Sequence, residues 1–305
     1  MNKTTIKRLI ENPWHITVSF ARRGWLNWLP DKAYLSLLFR ASMKKRMNWD
    51  DPKTFNEKMQ WLKLYDRASI YSAMVDKYEV KKIVSEKIGQ EHVVPVLGGP
   101  WNSFEEIDFD ALPDQFVLKT THDCGGVQIC RDKKTFDKEK VSAFLNKHMK
   151  RNYFLHCREW PYKNIVPRIF AEQYISDENN AVLPVYKIFC FGGQPKIIQA
   201  IQNDKQKDET IDYFDLQWNK LDLKQNFPNS EVPAECPRYL ETMLHIAREL
   251  SKGHAFIRID LYEANGCVFF SEYTFYSDAG LAEFEPYQWD EILGSWIDLP
   301  KGTSC

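Results

Sequence analysis

The sequence predicts an α+β protein in which a helical N-terminal region precedes groups of antiparallel hairpins. Three observations carry this. Thr54 and Glu57 form a capping box ahead of Phe55, Met59, Leu62 and Tyr65, an apolar stripe at helical spacing. Residues 116–130, 185–202 and 254–275 each read as two strands around a turn containing glycine. Residues 237–252 place Leu240, Met243, Leu244, Ala247 and Leu250 on one helical face, with proline in the first turn and Gly253 as the stop. At 305 residues, 44% hydrophobic and 27% charged, the chain can bury a large core and has an ordinary globular composition.

The net charge of −1 gives no global pull toward nucleic acid, and no nucleic-acid partner is expected. The seven cysteines are odd in number, scattered and never spaced C-x-x-C, which argues against a disulfide framework or zinc ribbon and for a reducing compartment. No signal peptide and no membrane span are read from the sequence, so a cytoplasmic protein is expected. Residues 1–50 nevertheless carry ten Lys/Arg against three Asp/Glu.

Residues 1–72 read as helical, with Pro30 and Asp31 as one helix start. Trp14, Trp25, Trp28, Tyr34, Leu35, Leu38 and Phe39 alternate there with Arg22, Arg23, Arg40, Lys44, Lys45 and Arg46. Either this is helical packing with a wet basic side, or it is a basic aromatic surface for peripheral contact with a membrane face or an acidic polymer. The next helix is expected over 77–87, ended by Gly89, and a short strand over 93–97, broken by Gly98, Gly99 and Pro100. Asp108-Phe109-Asp110 has the D-x-D form used by many metal-dependent glycosyltransferases, although three-residue motifs recur by chance.

In residues 116–130, Phe116 and Leu118 are expected to face a core, with Val117 and Lys119 on the other side. Lys119 beside a loop closed by Gly125 and Gly126 is either a phosphate cradle or a hairpin with a surface lysine. A helix over 138–150, a strand over 169–175 containing Glu172, and strands over 185–191, 195–202 and 211–218 follow. Around Asn265-Gly266 two registers compete. A two-residue turn opposes Asp260 to Ser271 and sends Glu272 to the other face. A three-residue loop opposes Arg258 to Glu272 and Asp260 to Phe270, and gathers Arg258, Asp260, Glu272 and Thr274 on one face. The second leaves Ile257, Ile259, Leu261, Phe269, Tyr273 and Phe275 as a core face, so the hydrophobic pattern selects it. Two carboxylates on one sheet face suit magnesium bridging phosphates, or else a salt bridge from Arg258 to Glu272.

The order of these pieces resembles the TupA-like ATP-grasp family, named for teichuronopeptide biosynthesis. The segments that carry it are DPKTFNEKMQWLKLYDR, VDKYEVKK, LPDQFVLKTTHDCGG, FAEQYI, VYKIFCFGG, FIRIDLYEANGCVFFSEYTFY and WDEILGSWIDLP. The resemblance implies ATP held between two antiparallel sheets, with residues 1–75 as a helical region, 76–174 as a lid subdomain and 175–305 as a C-terminal subdomain with the metal site. It implies that Lys77 and Lys119 contact phosphates and that the loop from His122 to Gly125 and Gly126 closes over them. Glu172, Gln173, Tyr174 and Ile175 would form the strand holding adenine, and Asp177 or Glu178 would take the ribose hydroxyls. Asp260, Glu272 and Thr274 would hold Mg2+, with Lys187 and Arg258 facing the γ-phosphate. The family usually has Glu-x-Asn at its last metal position, whereas this chain has Glu272-Tyr-Thr274, whose hydroxyl can still ligate magnesium.

The implied reaction is ADP-forming carboxylate–amine ligation through an acyl-phosphate, in cell-surface polysaccharide biosynthesis. The carboxylate would belong to a uronic acid of an acidic saccharide, and the amine to an amino acid or amino sugar. Rival readings are a metal-dependent glycosyltransferase working through Asp108 and Asp110, a non-catalytic binding module, and an ATP-dependent sugar kinase.

Overall fold

A computed structural model describes residues 15–177, 183–203 and 206–300. The chain opens with α1 (His15–Arg22), α2 (Asp31–Met43) and α3 (Phe55–Tyr65). The capping box forms as expected: the Glu57 N–H donates to Thr54 Oγ1 at 3.3 Å and the Thr54 N–H to Glu57 Oε2 at 3.1 Å. Phe55, Met59 and Leu62 are buried, but Tyr65 stays exposed and rests on the ring of Trp61 at the rim. After α4 (Ile70–Val75), α5 (Glu79–Ile88) starts two residues later than expected. The reason is local. Asp76 Oδ1 accepts from the N–H groups of Tyr78 and Glu79, so Lys77 stands in the turn before the helix.

β1 (Val96–Trp101), β2 (Phe116–Thr120), β3 (Val127–Cys130), α6 (Lys138–Met149), α7 (Phe154–Cys157) and β4 (Ile169–Gln173) follow. The strands form an antiparallel sheet in the order β1-β4-β2-β3. Gly98 and Gly99 do not break β1, as the sequence suggested, but lie inside it at a bulge. Gly99 has φ +98°, and a Cβ there would stand 3.0 Å from the Ile169 carbonyl oxygen, so only glycine lets the two backbones approach this closely. One face of this sheet packs Phe116, Leu118, Ile169 and Ala171 against Phe109 and Leu145 of the covering segments. The other face carries Lys119, Phe170 and Glu172.

The second sheet is built from β5 (Val185–Phe191), β6 (Gln194–Gln202), β7 (Thr210–Phe214), β8 (Phe256–Ala264) and β9 (Cys267–Thr274), with α8 (Leu240–Ser251) inserted before β8 and α9 (Gln288–Ser295) after β9. Its order is β7-β6-β5-β8-β9, again antiparallel. α8 buries Met243, Leu244, Ala247 and Leu250 in the same core as Ile257, Ile259 and Leu261.

The β8–β9 register matches neither expectation. Asn265 (φ +49°) and Gly266 (φ +78°) are both left-handed, as a two-residue type I′ turn requires, and Ala264 pairs with Cys267. Leu261 pairs with Phe270, but Asp260 pairs with Glu272, so Ser271 is an extra residue in a bulge. Burial parity changes at that point. Val268 and Phe270 are buried before the bulge, and Tyr273 and Phe275 after it. Phe270 therefore replaces the expected Phe269 on the core face, and the two carboxylates come directly opposite each other.

Candidate active site

A cleft of 590 Å³ lies between the two sheets, with Lys81, Lys119, Phe170 and Glu172 on one side and Tyr262, Phe270 and Glu272 on the other. Glu172, buried on β4, is gripped by two cations: Lys81 Nζ at 2.9 Å, and Lys119 in closer contact. Burial pushes the Glu172 carboxyl up, yet Lys119 and Lys81 together outweigh this and hold it below the usual carboxylate range. Burial also lowers the Lys81 ammonium, against the pull of Glu172. Sequence reasoning missed Lys81. Its place one turn after Lys77 on an amphipathic helix was the available signal.

The glycine loop is anchored beneath the cleft. Asp123, fully buried, accepts from the Thr120 hydroxyl and contacts His148 Nδ1, while its carbonyl accepts from Lys77 Nζ. The Lys77 N–H donates to the Thr121 carbonyl at 2.9 Å. Gly125 (φ +86°) lines the cleft, and a Cβ on Gly126 would overlap the Thr120 hydroxyl. His122 is buried, with Nε2 3.1 Å from the Arg151 carbonyl, and does not line the cleft.

On the large sheet, Lys187 pairs in register with Asp260, and Asp260 with Glu272, across three neighbouring strands. Arg258 grips Asp260 in a fork, Nε to Oδ1 at 2.7 Å and Nη2 to Oδ2 at 2.8 Å, and donates also to Ser277 and Thr274 at 3.0 Å. Burial disfavours the Arg258 cation, but Asp260, then Asp278 and Glu272, hold it charged and raise its pKa. The alternative Arg258–Glu272 salt bridge does not form. Asp260 takes the guanidinium, and the Glu272 carboxylate makes no hydrogen bond or ion pair among the described residues.

No group of three His, Cys, Asp or Glu side chains that could hold a metal occurs among the described residues. The donor set Asp260, Glu272 and Thr274 is purely oxygen, which fits magnesium, an ion that keeps water and phosphate oxygens around one or two carboxylates. Thr274 differs from expectation in that its hydroxyl accepts from Arg258.

Several expected ligands point elsewhere. Gln173 and Tyr174 line a hollow with Arg131 outside the cleft, and neither they nor Ile175 line the cleft itself. Asp177 accepts from the Asn265 N–H at 2.8 Å and thereby ties the strand leaving the small sheet to the β8–β9 turn. Glu178 lies outside the described residues. The D-x-D motif is a turn: Asp108 Oδ1 accepts from the Asp110 N–H at 3.0 Å and the Phe109 ring is core, so neither aspartate lines the cleft.

A second cavity, of 490 Å³, opens beside the first, and Lys77, Cys124 and Glu272 line both. Lys187 and Arg258 line it from the sheet, and Val18, Ala21, Leu38 and Ser42 from α1 and α2. Glu159, also in its wall, was not picked out from the sequence. Burial pushes its carboxyl up to about 7, with Glu272 and Asp278 adding to the rise and Lys63 and Arg258 opposing it.

A search of curated proteins found no match. Among solved structures, D-alanine–D-alanine ligase from Bacillus anthracis complexed with ATP is 16% identical (TM-score 0.38), covering 66% of this chain and 53% of that one. The Helicobacter pylori D-alanine–D-alanine ligase is 16% identical (TM-score 0.40), covering 80% and 69%. The ATP-grasp ligase PsnB, complexed with a phosphomimetic variant of its minimal precursor, Mg and ADP, is 10% identical (TM-score 0.40), covering 88% and 66%. The chain thus spans about half the length of the first of these, and likenesses at this distance carry no weight. The family model described as TupA-like ATPgrasp, by contrast, matches residues 57–298, well over half of the chain. With two antiparallel sheets enclosing the cleft, the chain belongs to the TupA-like ATP-grasp family.

Proposed function

We propose that the protein is an ATP-dependent carboxylate–amine ligase that forms an amide through an acyl-phosphate. The observation that carries this is Glu272, directly opposite the buried Asp260 on the neighbouring strand and lining a cleft whose other wall holds Lys81 and Lys119. Lys77, Lys81 and Lys119 would neutralise nucleotide phosphates, and the apolar surfaces of Phe170, Tyr262 and Phe270 offer flat contact for a base. Asp260 and Glu272 would hold Mg2+, which when bound screens charge on the transferring phosphoryl group. Arg258, fixed by Asp260, Thr274 and Ser277, presents a rigid cation to the second cavity, and Lys187 makes no ion pair there among the described residues. These two would orient the substrate carboxylate, whose oxygen attacks the γ-phosphorus as the bond to ADP breaks. An amine then attacks the acyl carbon and phosphate leaves.

The setting is cell-surface polysaccharide biosynthesis, with the carboxylate on a uronic acid. This is what the resemblance to the family implies, and its support in the site is the pair Lys187 and Arg258, two cations that would meet an acidic saccharide. Trp25 (58% exposed) and Trp28 (77%) stand out on the segment between α1 and α2, and would touch a membrane face or a lipid-linked saccharide. Part of the basic surface is engaged internally, since Lys44 pairs with Glu283 and Lys45 with Asp290. No helix of the described residues is long and apolar enough to cross a membrane. Loss of vesicle sedimentation in Trp25→Ser/Trp28→Ser is the expected result, and unchanged sedimentation removes the membrane contact.

Thermal-shift titration of wild type and Glu272→Ala with Mg-ATP and with sugar nucleotides tests the main reading. Stabilisation by Mg-ATP that the variant loses is expected, with Asp108→Ala behaving as wild type. A response to sugar nucleotides alone would transfer the function to a glycosyltransferase.

A further inference from the structure

Glu159 lies in the turn after α7, and its side chain lines the second cavity although the residue is only 8% exposed. Its carboxylate makes no hydrogen bond or ion pair among the described residues. A carboxylate in a residue this enclosed, bordering the cavity without a partner, favours a cation that enters the cavity. The two cations that oppose the rise of its carboxyl are committed elsewhere, and Lys77 and Lys187, in the same lining, make no ion pair with it. Lys63, fully buried, donates to the Ala279 carbonyl at 2.7 Å and to Gln60 at 3.3 Å, and Arg258 donates to Asp260, Thr274 and Ser277. Glu272 and Asp278, facing the same space, add negative charge. The wall given by α1 and α2 is of another kind, with Val18, Ala21 and Leu38 making it apolar.

We propose that this cavity is the acceptor pocket and that Glu159 binds the ammonium group of a primary amine whose body lies on the Val18–Leu38 wall. This rests on the ligase reading and adds the residue and the ligand chemistry. The cavity is continuous with the nucleotide cleft at Lys77, Cys124 and Glu272, so an amine held by Glu159 shares a wall with the site of phosphoryl transfer. A primary ammonium is common to amino acids and amino sugars. The apolar wall favours an amino acid with an aliphatic side chain.

Calorimetric titration of the full chain saturated with Mg-AMPPNP decides this. The probes are L-leucine, L-alanine, glycine and D-glucosamine, each beside its N-acetyl derivative. L-Leucine is expected to bind wild type at least tenfold more tightly than N-acetyl-leucine, and Glu159→Gln is expected to lose that preference while binding Mg-AMPPNP like wild type. Tighter binding of D-glucosamine would keep Glu159 but make the ligand an amino sugar. Equal binding by Glu159→Gln, equal binding of the acetylated forms, or no amine binding to wild type overturns the proposal and leaves the nucleotide site standing. Failure of Mg-AMPPNP itself to bind wild type overturns the ligase reading beneath it. Should Glu159→Gln not fold, Glu159→Asp, which draws the charge back by one methylene, is expected to bind L-leucine more weakly than wild type, and unchanged binding counts against the proposal.

Discussion

Glu172 joins stability to function in one side chain. It is nearly enclosed and holds two ammonium groups apart, so Glu172→Gln leaves Lys81 and Lys119 repelling each other in a partly dry cleft. At neutral pH the variant is expected to unfold about 3 kcal/mol more easily in urea, the usual scale for breaking a buried pair. Because the folded carboxyl sits below its usual value of 4.5, its contribution is present above that value and fades as pH falls through the lowered one. The difference between variant and wild type should therefore shrink in acid, and a constant difference would mean that the ion pairs are not its source. Lys119 was legible because it stands beside a glycine loop, and Lys77 only through the family resemblance. Lys81 was not, since a lysine on an amphipathic helix looks like any solvated position. Glu159 was hidden too, lying between Arg158 and Trp160 where no periodicity marks it.

Hairpins, helices and their order could be read from alternation and caps, but register could not. Val268, Phe269 and Phe270 are apolar in succession, so both strand faces fit, and the bulge at Ser271 has no sequence mark of its own. Element packing also rests on single glycines. α9 lies against the start of α3, and a Cβ on Gly294 would come 2.7 Å from the Phe55 nitrogen. Gly294→Ala is expected to cost about 2 kcal/mol in denaturant unfolding, because backbone cannot move aside as a side chain can. Gly126→Ala should act on the loop, displacing Thr120 from Asp123 and weakening Mg-ATP binding by more than tenfold in calorimetry. Unaltered affinity would mean that the Thr120–Asp123 contact does not position the loop.

At the scale of the molecule, two sheets and the N-terminal helices enclose a pair of joined cavities. Lys119, Glu172 and Glu272, expected from the sequence on strands of both sheets, do meet in the first cleft. The second cavity could not be anticipated, because Val18, Ala21 and Leu38 read as ordinary core-facing positions and only the tertiary arrangement brings them opposite Glu159. A ligand that spans both sheets should order both. Mg-ATP is expected to slow amide hydrogen exchange in residues 121–126 and in β9 together, and protection of one sheet alone would mean that the nucleotide does not bridge the cleft.

Cys124 occupies the glycine loop at the junction of the two cavities, and it is exposed. Its thiol makes a natural reporter. Maleimide labelling of this one position, followed by peptide mapping to separate it from the six other cysteines, should slow when either neighbouring cavity fills. Occupancy of each chamber could then be followed in the native chain before any product of the reaction has been identified.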